Sequence, residues 1–205
     1  MWLDPPGPTR DADGYSSIPS LGHRARIEDR MQIHDATSEH VAAITAIYND
    51  AVENTTAIWN DQTVDRDNRA RWLVERTNAG FPVLVCSSPK DEYDVLGYAT
   101  FSQWRPFDGY RQTVEHSVYV RSDQHGKGIG TMLMKQLNER AQRSGIHVMI
   151  AGIDAGNSAS IALHEKLGFE VVGRMPQVGV KFGRWLDLAF LQRTLDGRET
   201  PPAQD

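Results

Sequence analysis

Three glycines alternate within a short segment in the middle of the chain, Gln124-His-Gly-Lys-Gly-Ile-Gly130. A strand-like apolar pattern precedes this segment and an amphipathic helix pattern follows it. Glycine lets the backbone approach a ligand closely, and a helix N-terminus presents unpaired N–H groups and the positive end of a dipole. Both properties favour a bound anion, usually a phosphate. A tight strand-to-helix turn without a ligand is the alternative that the loop alone leaves open.

Other nucleotide-binding motifs fit this glycine-rich loop poorly. A P-loop requires GxxxxGK[ST], which the sequence lacks. The dinucleotide fingerprint GxGxxG would begin at Gly126, but Thr131 occupies the position of its last glycine. The loop also falls in the middle of the chain, after several predicted strands. It therefore indicates a phosphate site of another class.

The elements around the loop follow from apolar spacing. A strand over 114–120 leads into it, and a helix over about 128–144 follows, with the apolar side Ile129, Met132, Leu133, Met134, Leu137 and Ala141. Further strands are predicted at 31–34, 83–87, 95–103, 147–153, 169–172 and 186–192, with SPKDEYD as the turn between the second and third of these. Further helices are predicted from Ser38 to about 54, over about 65–77, and over about 158–167 with Gly168 as the stop. This order predicts a mixed α/β fold, one sheet flanked by helices.

Composition narrows the class of protein. The 205 residues suit one domain, and a formal charge of −5 argues against nucleic acid as the main partner. The single cysteine, Cys86, lies in an apolar run and is expected to be a packed strand thiol. No apolar run approaches a membrane span, and no signal peptide is evident, so we expect a cytoplasmic protein without a membrane partner. Residues 1–30 and 197–205 are predicted to be a disordered leader and a flexible tail.

Two motifs together resemble the GNAT superfamily of N-acetyltransferases. The pyrophosphate loop of that family follows [QR]-x-x-G-x-[GA], and Gly128 and Gly130 match its small positions, although His125 replaces Gln or Arg with Gln124 beside it. The second motif, N-x-x-[AS]-x-x-L-[YH]-x-K-x-G-F, matches residues 157–169. The resemblance implies a GNAT domain over 31–196, built on a single, mostly antiparallel, twisted sheet.

Longer stretches resemble one subfamily, the phosphinothricin and methionine sulfoximine acetyltransferases. They are AIWNDQTVDRDNR, FDGYRQTVEHSVYV and MPQVGVKFGRWLDL. This resemblance implies direct transfer of acetyl from acetyl-CoA to the α-amino group of L-methionine sulfoximine, L-methionine sulfone or phosphinothricin, in a ternary complex within a homodimer. Acetylation of protein or peptide N-termini by the same fold is an alternative, and so is a non-catalytic acyl-CoA-binding module.

The same resemblance assigns catalytic roles to Glu115 and His164. Glu115 would accept the amine's proton, and His164 would protonate the leaving thiolate or help remove the amine proton. Strand alternation places Glu115, Ser117 and Tyr119 on one face and His116, Val118 and Val120 on the other, unless a β-bulge of the kind usual in the family interrupts it. A salt-bridged strand carboxylate and a histidine packed beside Phe169 are the structural alternatives.

The resemblance also implies the binding residues. For acetyl-CoA these are Val118, Tyr119, Val120, Gly126, Lys127, Gly128, Ile129, Gly130, Thr131, Asn157 and Lys166. For the amino acid they are Asp108, Gly109, Tyr110 and Glu115, with Arg105 or Arg111 able to pair with its carboxylate. An N-cap role for Asn157, a solvated Lys166 and an aromatic hairpin loop are the alternatives. Trp59 and Trp185 are predicted to be core or interface residues. Histidine spacing predicts no metal site.

Overall fold

The computed structural model of the protein describes residues 31–202, so the predicted leader and residues 203–205 lie outside the described part. The strands in this part are β1 (Gln32–Asp35), β2 (Val83–Ser88), β3 (Asp91–Gln103), β4 (Thr113–Val120), β5 (Val148–Asp154), β6 (Glu170–Lys181) and β7 (Arg184–Thr194). The α-helices are α1 (Val41–Asn54), α2 (Arg66–Asn78), α3 (Ile129–Arg143) and α4 (Ser158–Lys166). None of these helices is both long and apolar enough to cross a membrane.

The strands form one seven-stranded sheet in the order β1-β2-β3-β4-β5-β7-β6. Every neighbouring pair is antiparallel except β4 and β5, which are parallel. A parallel pair needs a crossover connection, and α3 supplies it, because the chain leaves β4 through the glycine-rich loop and returns to β5 after this helix. The predicted mixed and mostly antiparallel sheet flanked by helices is confirmed.

Helices cover both faces of the sheet. On one face, α3 contributes Ile129, Leu133 and Leu137 to the larger core cluster, where they pack with residues such as Met149 and Leu191. On the other face, α1 and α2 form a second cluster around Tyr98 with buried residues of β2 and β3. Burial of apolar side chains on both faces supplies most of the free energy that holds the helices to the sheet. The glycine-rich loop and β4 are therefore attached to a part of the sheet that is packed on both faces.

Four predicted elements have clearly different bounds in the structure. A 3-10 turn over Ser38–His40 precedes α1, so the α-helix begins at Val41 and not at Ser38. Most of the predicted turn SPKDEYD belongs to β3, which begins at Asp91 and leaves only a short turn after β2. The two closing strands are 12 and 11 residues long and form an extended hairpin, much longer than the apolar runs indicated. Most residues of β6 are exposed and do not alternate with buried ones, which is why apolar spacing underestimated the length of the hairpin.

Strands β4 and β5 separate partway along their length. They pair only from Thr113 with Val148 to Glu115 with Ile150. The pairing of β4 with β3 continues without a register shift from Val114 to Val120, so the bulge considered for β4 does not interrupt it. The opening in the sheet thus arises from the end of β4–β5 pairing.

Candidate active site

A cavity of about 180 Å³ lies where β4 and β5 separate. Residues 115–119 of β4 and 151–154 of β5 form two of its walls. Helix α4 and its N-cap contribute Asn157, Ser160 and His164, and the segment after α1 contributes Thr56, Ala57 and Trp59. The predicted catalytic pair, Glu115 and His164, therefore lines one cavity although 48 other residues separate the two along the chain.

Glu115 projects into this cavity as a half-buried carboxyl group. Burial raises its pKa above the ordinary value of 4.5, and the nearby Arg105 guanidinium opposes part of that increase. A carboxylate in this setting is a stronger base than one in water, because a raised pKa strengthens its hold on a proton. Its position and its electrostatics both suit proton acceptance.

His164 forms a buried pair with His116, on the opposite face of β4 from Glu115. The two rings stack with 4.9 Å between centroids and an interplanar angle of 16°, and their Nε2 atoms are 3.1 Å apart. Phe169 packs edge-on against both rings. His164 is 1% exposed and His116 is 8% exposed. The predicted alternation along β4 is confirmed by this arrangement, since His116 faces away from Glu115.

Hydrogen bonding fixes which nitrogens of the pair carry protons. The Nδ1 atom of His164 lies 2.7 Å from the carbonyl oxygen of Ser160, which can only accept, so this nitrogen is protonated. In the neutral ring, Nε2 of His164 is then an acceptor, and Nε2 of His116 must donate to it. The Nδ1 atom of His116 remains buried without a partner. Burial lowers the pKa of both rings, most strongly for His116, where the neighbouring His164 adds to the effect.

The glycine-rich loop has the backbone that an anion site requires. Gly126 and Gly128 have φ angles of 78° and 81°, in the left-handed region that favours glycine, and Gly128 is the N-cap of α3. The first N–H groups of α3, including those of Ile129 and Thr131, have no acceptor within the helix and point out of its N-terminus. These residues therefore fit a pyrophosphate, with the helix dipole adding to the attraction.

Side chains around the loop are held by local hydrogen bonds. Lys127 Nζ donates to Gln124 Oε1 at 2.9 Å and is otherwise exposed. His125, at the first motif position, has Nε2 2.9 Å from the carbonyl oxygen of Val120. Because that carbonyl accepts, this nitrogen carries a proton, and the ring ties the loop to the end of β4. Gly130 packs closely on α4, where an added Cβ would lie 3.2 Å from Leu163 Cδ1.

Asn157 and Lys166 lie at the two ends of α4. The Asn157 side chain accepts a hydrogen bond from the Ser160 backbone N–H at 3.0 Å, so it is an N-cap and also part of the cavity wall. Lys166 is exposed in the last turn of the helix and does not line the cavity. Val118 and Tyr119 do line it.

The residues of the predicted substrate loop do not line the cavity. Asp108, Gly109 and Tyr110 form an exposed 3-10 turn between β3 and β4, and Tyr110 packs edge-on against Trp104 at 5.2 Å. Of the two candidate arginines, Arg111 donates to the backbone oxygen of Asp108 at 2.9 Å. Arg105 lies over the Trp104 ring at 4.6 Å and is the one whose charge acts on Glu115.

Several cavity residues were not found from the sequence. Trp59 was predicted to be a core or interface residue, and that prediction was wrong, because its half-buried indole forms part of the wall and donates to the Thr56 carbonyl at 2.9 Å. Thr56 in turn donates to Asp154, which joins the segment after α1 to the end of β5. Trp185 is 65% exposed and is not in the core. Only the pairing of distant segments brings Thr56, Trp59 and Asp154 together, so no local motif marks them.

Metal-ligating groups do not cluster within residues 31–202. In this range no three His, Cys, Asp or Glu side chains are arranged so as to hold a metal ion.

Comparison with known proteins identifies related sequences and structures. Residues 44–169 match the model of the acetyltransferase (GNAT) family. The chain is 57% identical over 170 residues to the L-methionine sulfoximine/L-methionine sulfone acetyltransferase of Pseudomonas aeruginosa, covering 83% of this chain and 98% of that protein.

Two solved structures are similar in fold and in sequence. An acetyltransferase structure from Salmonella typhimurium with acetyl-CoA has a TM-score of 0.81 and 54% identity, covering 85% of this chain and 99% of that one. A phosphinothricin acetyltransferase from Sinorhizobium meliloti in complex with acetyl-CoA has a TM-score of 0.80 and 38% identity, covering 85% and 94% of the two chains.

Proposed function

The chain belongs to the GNAT family of acetyltransferases and is an acetyl-CoA-dependent N-acetyltransferase, and we propose that it acetylates the α-amino group of small L-amino acids, with Glu115 as the proton acceptor. The observation that carries the proposal is the cavity between β4 and β5. Glu115, whose carboxyl pKa is raised by burial, lines this cavity at the point where the sheet opens.

The proposed substrates are L-methionine sulfoximine and L-methionine sulfone, with phosphinothricin as a further candidate. Support comes from the relative at 57% identity, which is named for the first two compounds, and from the structure at 38% identity, which is named for the third. A cavity of about 180 Å³ has room for a compact amino acid. The raised pKa of Glu115 argues against the alternative of a non-catalytic module.

For acetyl-CoA, the proposed cradle is the loop and the start of α3. The backbone N–H groups of residues 126–131 would bind the pyrophosphate, and Lys127 would add a positive charge after leaving Gln124. The edge of β4 at 118–120, which β5 no longer pairs, offers backbone groups to the pantetheine arm. Asn157 and Lys166 are proposed as additional contacts from α4. The bound thioester supplies the carbonyl carbon that the amine attacks and the thiol that leaves.

Glu115 prepares the amine in this proposal. An amino acid arrives mostly as an ammonium ion, which cannot attack a carbonyl, so the nitrogen must first lose a proton. The carboxylate of Glu115 accepts that proton directly or through one water. Burial, by raising the pKa of Glu115, brings its basicity closer to what proton transfer near neutral pH requires.

His164 acts in this proposal as a neutral ring. Burial lowers its pKa, which favours the neutral imidazole over an imidazolium acid. Nδ1 is committed to Ser160 and Nε2 accepts from His116, so His164 would assist removal of the amine proton through Nε2 only after exchanging the His116 hydrogen bond for one from the amine or a water. The leaving thiolate then takes its proton from solvent or from protonated Glu115.

Arg105 is proposed to bind the α-carboxylate of the substrate. Its charge already acts on Glu115, so a carboxylate bound there would hold the amine close to the base. Asp108, Gly109 and Tyr110 would then contribute to substrate binding by closing over the opening. All three residues are exposed, so their polar groups are accessible to a substrate.

A homodimer is proposed on the basis of the β6–β7 hairpin. This hairpin exposes an unusual number of large apolar side chains, namely Val172, Met175, Val178, Val180, Phe182 and Trp185. Exposed large apolar side chains concentrated on one hairpin are typical of an interface between proteins. We further propose that residues 31–196 form the catalytic domain and that it functions in the cytoplasm.

A substrate panel tests the proposed activity. Release of free thiol from acetyl-CoA is measured with methionine sulfone, methionine sulfoximine, phosphinothricin, unmodified amino acids and short peptides. The proposal expects turnover with the first compounds and little with peptides. Turnover with peptides alone would favour the alternative acetyltransferase, and none with any acceptor would favour the binding module.

A further inference from the structure

Gly152 lies beside Glu115 across the opening in the sheet. The last pair of β4 and β5 joins Glu115 to Ile150, and Gly152 is two residues further along β5, on the same face as Ile150. At that point β5 has only β7 as a strand neighbour, through Phe190. A side chain at position 152 would therefore project from the face on which the Glu115 carboxyl group lies.

The space above Gly152 is already occupied. A Cβ atom there would lie 2.9 Å from Oε1 of Glu115, closer than real Cβ atoms approach other heavy atoms. It would also contact Leu188 Cδ1 at 3.6 Å and Phe190 Cε1 at 3.9 Å, which are ordinary van der Waals distances. The carboxylate is thus the one group that would have to move, and it ends a flexible side chain.

The backbone of Gly152 does not require glycine. Its φ angle is outside the left-handed region where six other glycines of the described chain are found. Alanine is therefore compatible with the strand conformation, and the cost of a side chain falls on the contact with Glu115. The absence of a side chain at position 152 is explained by the position of that carboxylate.

We propose that Gly152 is a positioning residue for the reaction, because the lack of a side chain at position 152 sets where the carboxylate of Glu115 lies. This inference rests on the proposed role of Glu115 as the base. A general base must come within hydrogen-bonding distance of the proton that it takes, and a misplacement of about 1 Å can cost a factor of about 100 in rate.

A double-mutant cycle tests the inference. The values of kcat/KM are measured for Gly152→Ala, Glu115→Gln and the double variant on methionine sulfone. Gly152→Ala should lose about 10- to 100-fold, with acetyl-CoA affinity by calorimetry unchanged, because only the carboxylate moves. In the Glu115→Gln background the same substitution should cost little more, since no base remains to be displaced.

Two results would overturn the inference. One is wild-type activity of Gly152→Ala, and the other is an equal loss in both backgrounds, which would mean that Gly152 acts independently of Glu115. If Glu115→Gln keeps full activity, both the proposed base and this inference are wrong. If Glu115→Gln loses most of its activity but Gly152→Ala is fully active, only this inference is wrong.

Two further variants separate positioning from general damage. Gly197, which follows β7, also has an ordinary φ angle, and nothing lies within 4 Å of a Cβ added there, so Gly197→Ala should retain full activity. Glu115→Asp shortens the carboxyl side chain and withdraws it from the added methyl group. Any decrease in melting temperature caused by Gly152→Ala should therefore be recovered in Gly152→Ala/Glu115→Asp, and a persistent decrease would show that the contact with Glu115 is not its cause.

Discussion

Glu115 and His116 are neighbours on β4, yet the environments of their side chains differ. Glu115 is half-buried at the cavity wall, with the charge of Arg105 acting on it. His116 is enclosed between β4 and α4, where it stacks on His164 and contacts Phe169. Burial raises the pKa of the glutamate and lowers the pKa of both histidines, so in each case it favours the uncharged form.

The consequence for chemistry is opposite on the two faces. For a carboxylate, a raised pKa means a stronger hold on a proton, which suits a base. For an imidazole, a lowered pKa means that the ring stays neutral and is a poor proton donor. The difference supports the proposed proton acceptance on the Glu115 face and is consistent with a neutral, hydrogen-bonded pair on the His116 face.

The largest expected effect is the loss of the base. Glu115→Gln should keep acetyl-CoA affinity and lower kcat/KM on methionine sulfone by about 10²- to 10⁴-fold, because an amide cannot accept the ammonium proton. Steady-state kinetics and calorimetry provide the two measurements. An increase in KM for the amino acid with kcat unchanged would instead make Glu115 a binding group for the ammonium ion.

A smaller effect is expected on the opposite face. His164→Asn should lower kcat by about tenfold, because the basic Nε2 atom is lost while solvent can still exchange protons with the site. The asparagine amide can replace Nδ1 in donating to the Ser160 carbonyl, but buried His116 Nε2 loses its acceptor, so the melting temperature should also fall. A loss as large as that of Glu115→Gln would transfer the role of base to His164.

The histidine pair should also make the protein sensitive to acid. Folding lowers the pKa of His116 and of His164 below 6.5. The contribution of the two neutral rings to stability is therefore fully present above pH 6.5 and is lost as the pH falls through their pKa values in the folded state. His116→Gln can still donate to His164 and does not titrate. Its melting temperature should therefore fall less between pH 7 and pH 5 than that of the wild type, and equal decreases would contradict the buried, neutral pair.

The smallest effect concerns the stability linked to Glu115. The pKa of Glu115 is raised in the folded state. Its protonated form therefore contributes its full stabilisation of the fold below about pH 4.5, and this contribution is lost as the pH rises through the pKa of the folded state. Glu115→Gln removes the cost of burying a carboxylate. The variant should therefore melt no lower than the wild type at pH 7, and its relative advantage should diminish toward pH 4. Marked destabilisation at pH 7 would indicate a structural ion pair.

The sequence predicted the parts of the fold that carry a strong local pattern. Gly126 and Gly128 marked the loop, apolar spacing marked α3, and alternation along β4 placed Glu115 and His116 on opposite faces, as the structure has them. The long β6–β7 hairpin was underestimated because its exposed residues do not alternate.

The cavity depends on long-range pairing that no local pattern records. The parallel register of β4 and β5 determines that Gly152 lies beside Glu115, and a hydrogen bond joins Thr56 to Asp154 across 98 positions of the chain. The sequence predicted that His116 faces away from Glu115. Its pairing with His164 required the packing of α4 on the sheet.

The pH dependence of kcat/KM for wild type and Glu115→Gln on methionine sulfone tests most directly whether Glu115 accepts the proton. For the wild type we expect activity to fall on the acidic side as Glu115 becomes protonated, at a pH above the ordinary carboxyl value of 4.5. The variant depends on free amine in solution, so its deficit should be largest at low pH and should shrink steadily as pH rises. Wild-type activity of Glu115→Gln across the acidic limb would contradict the account.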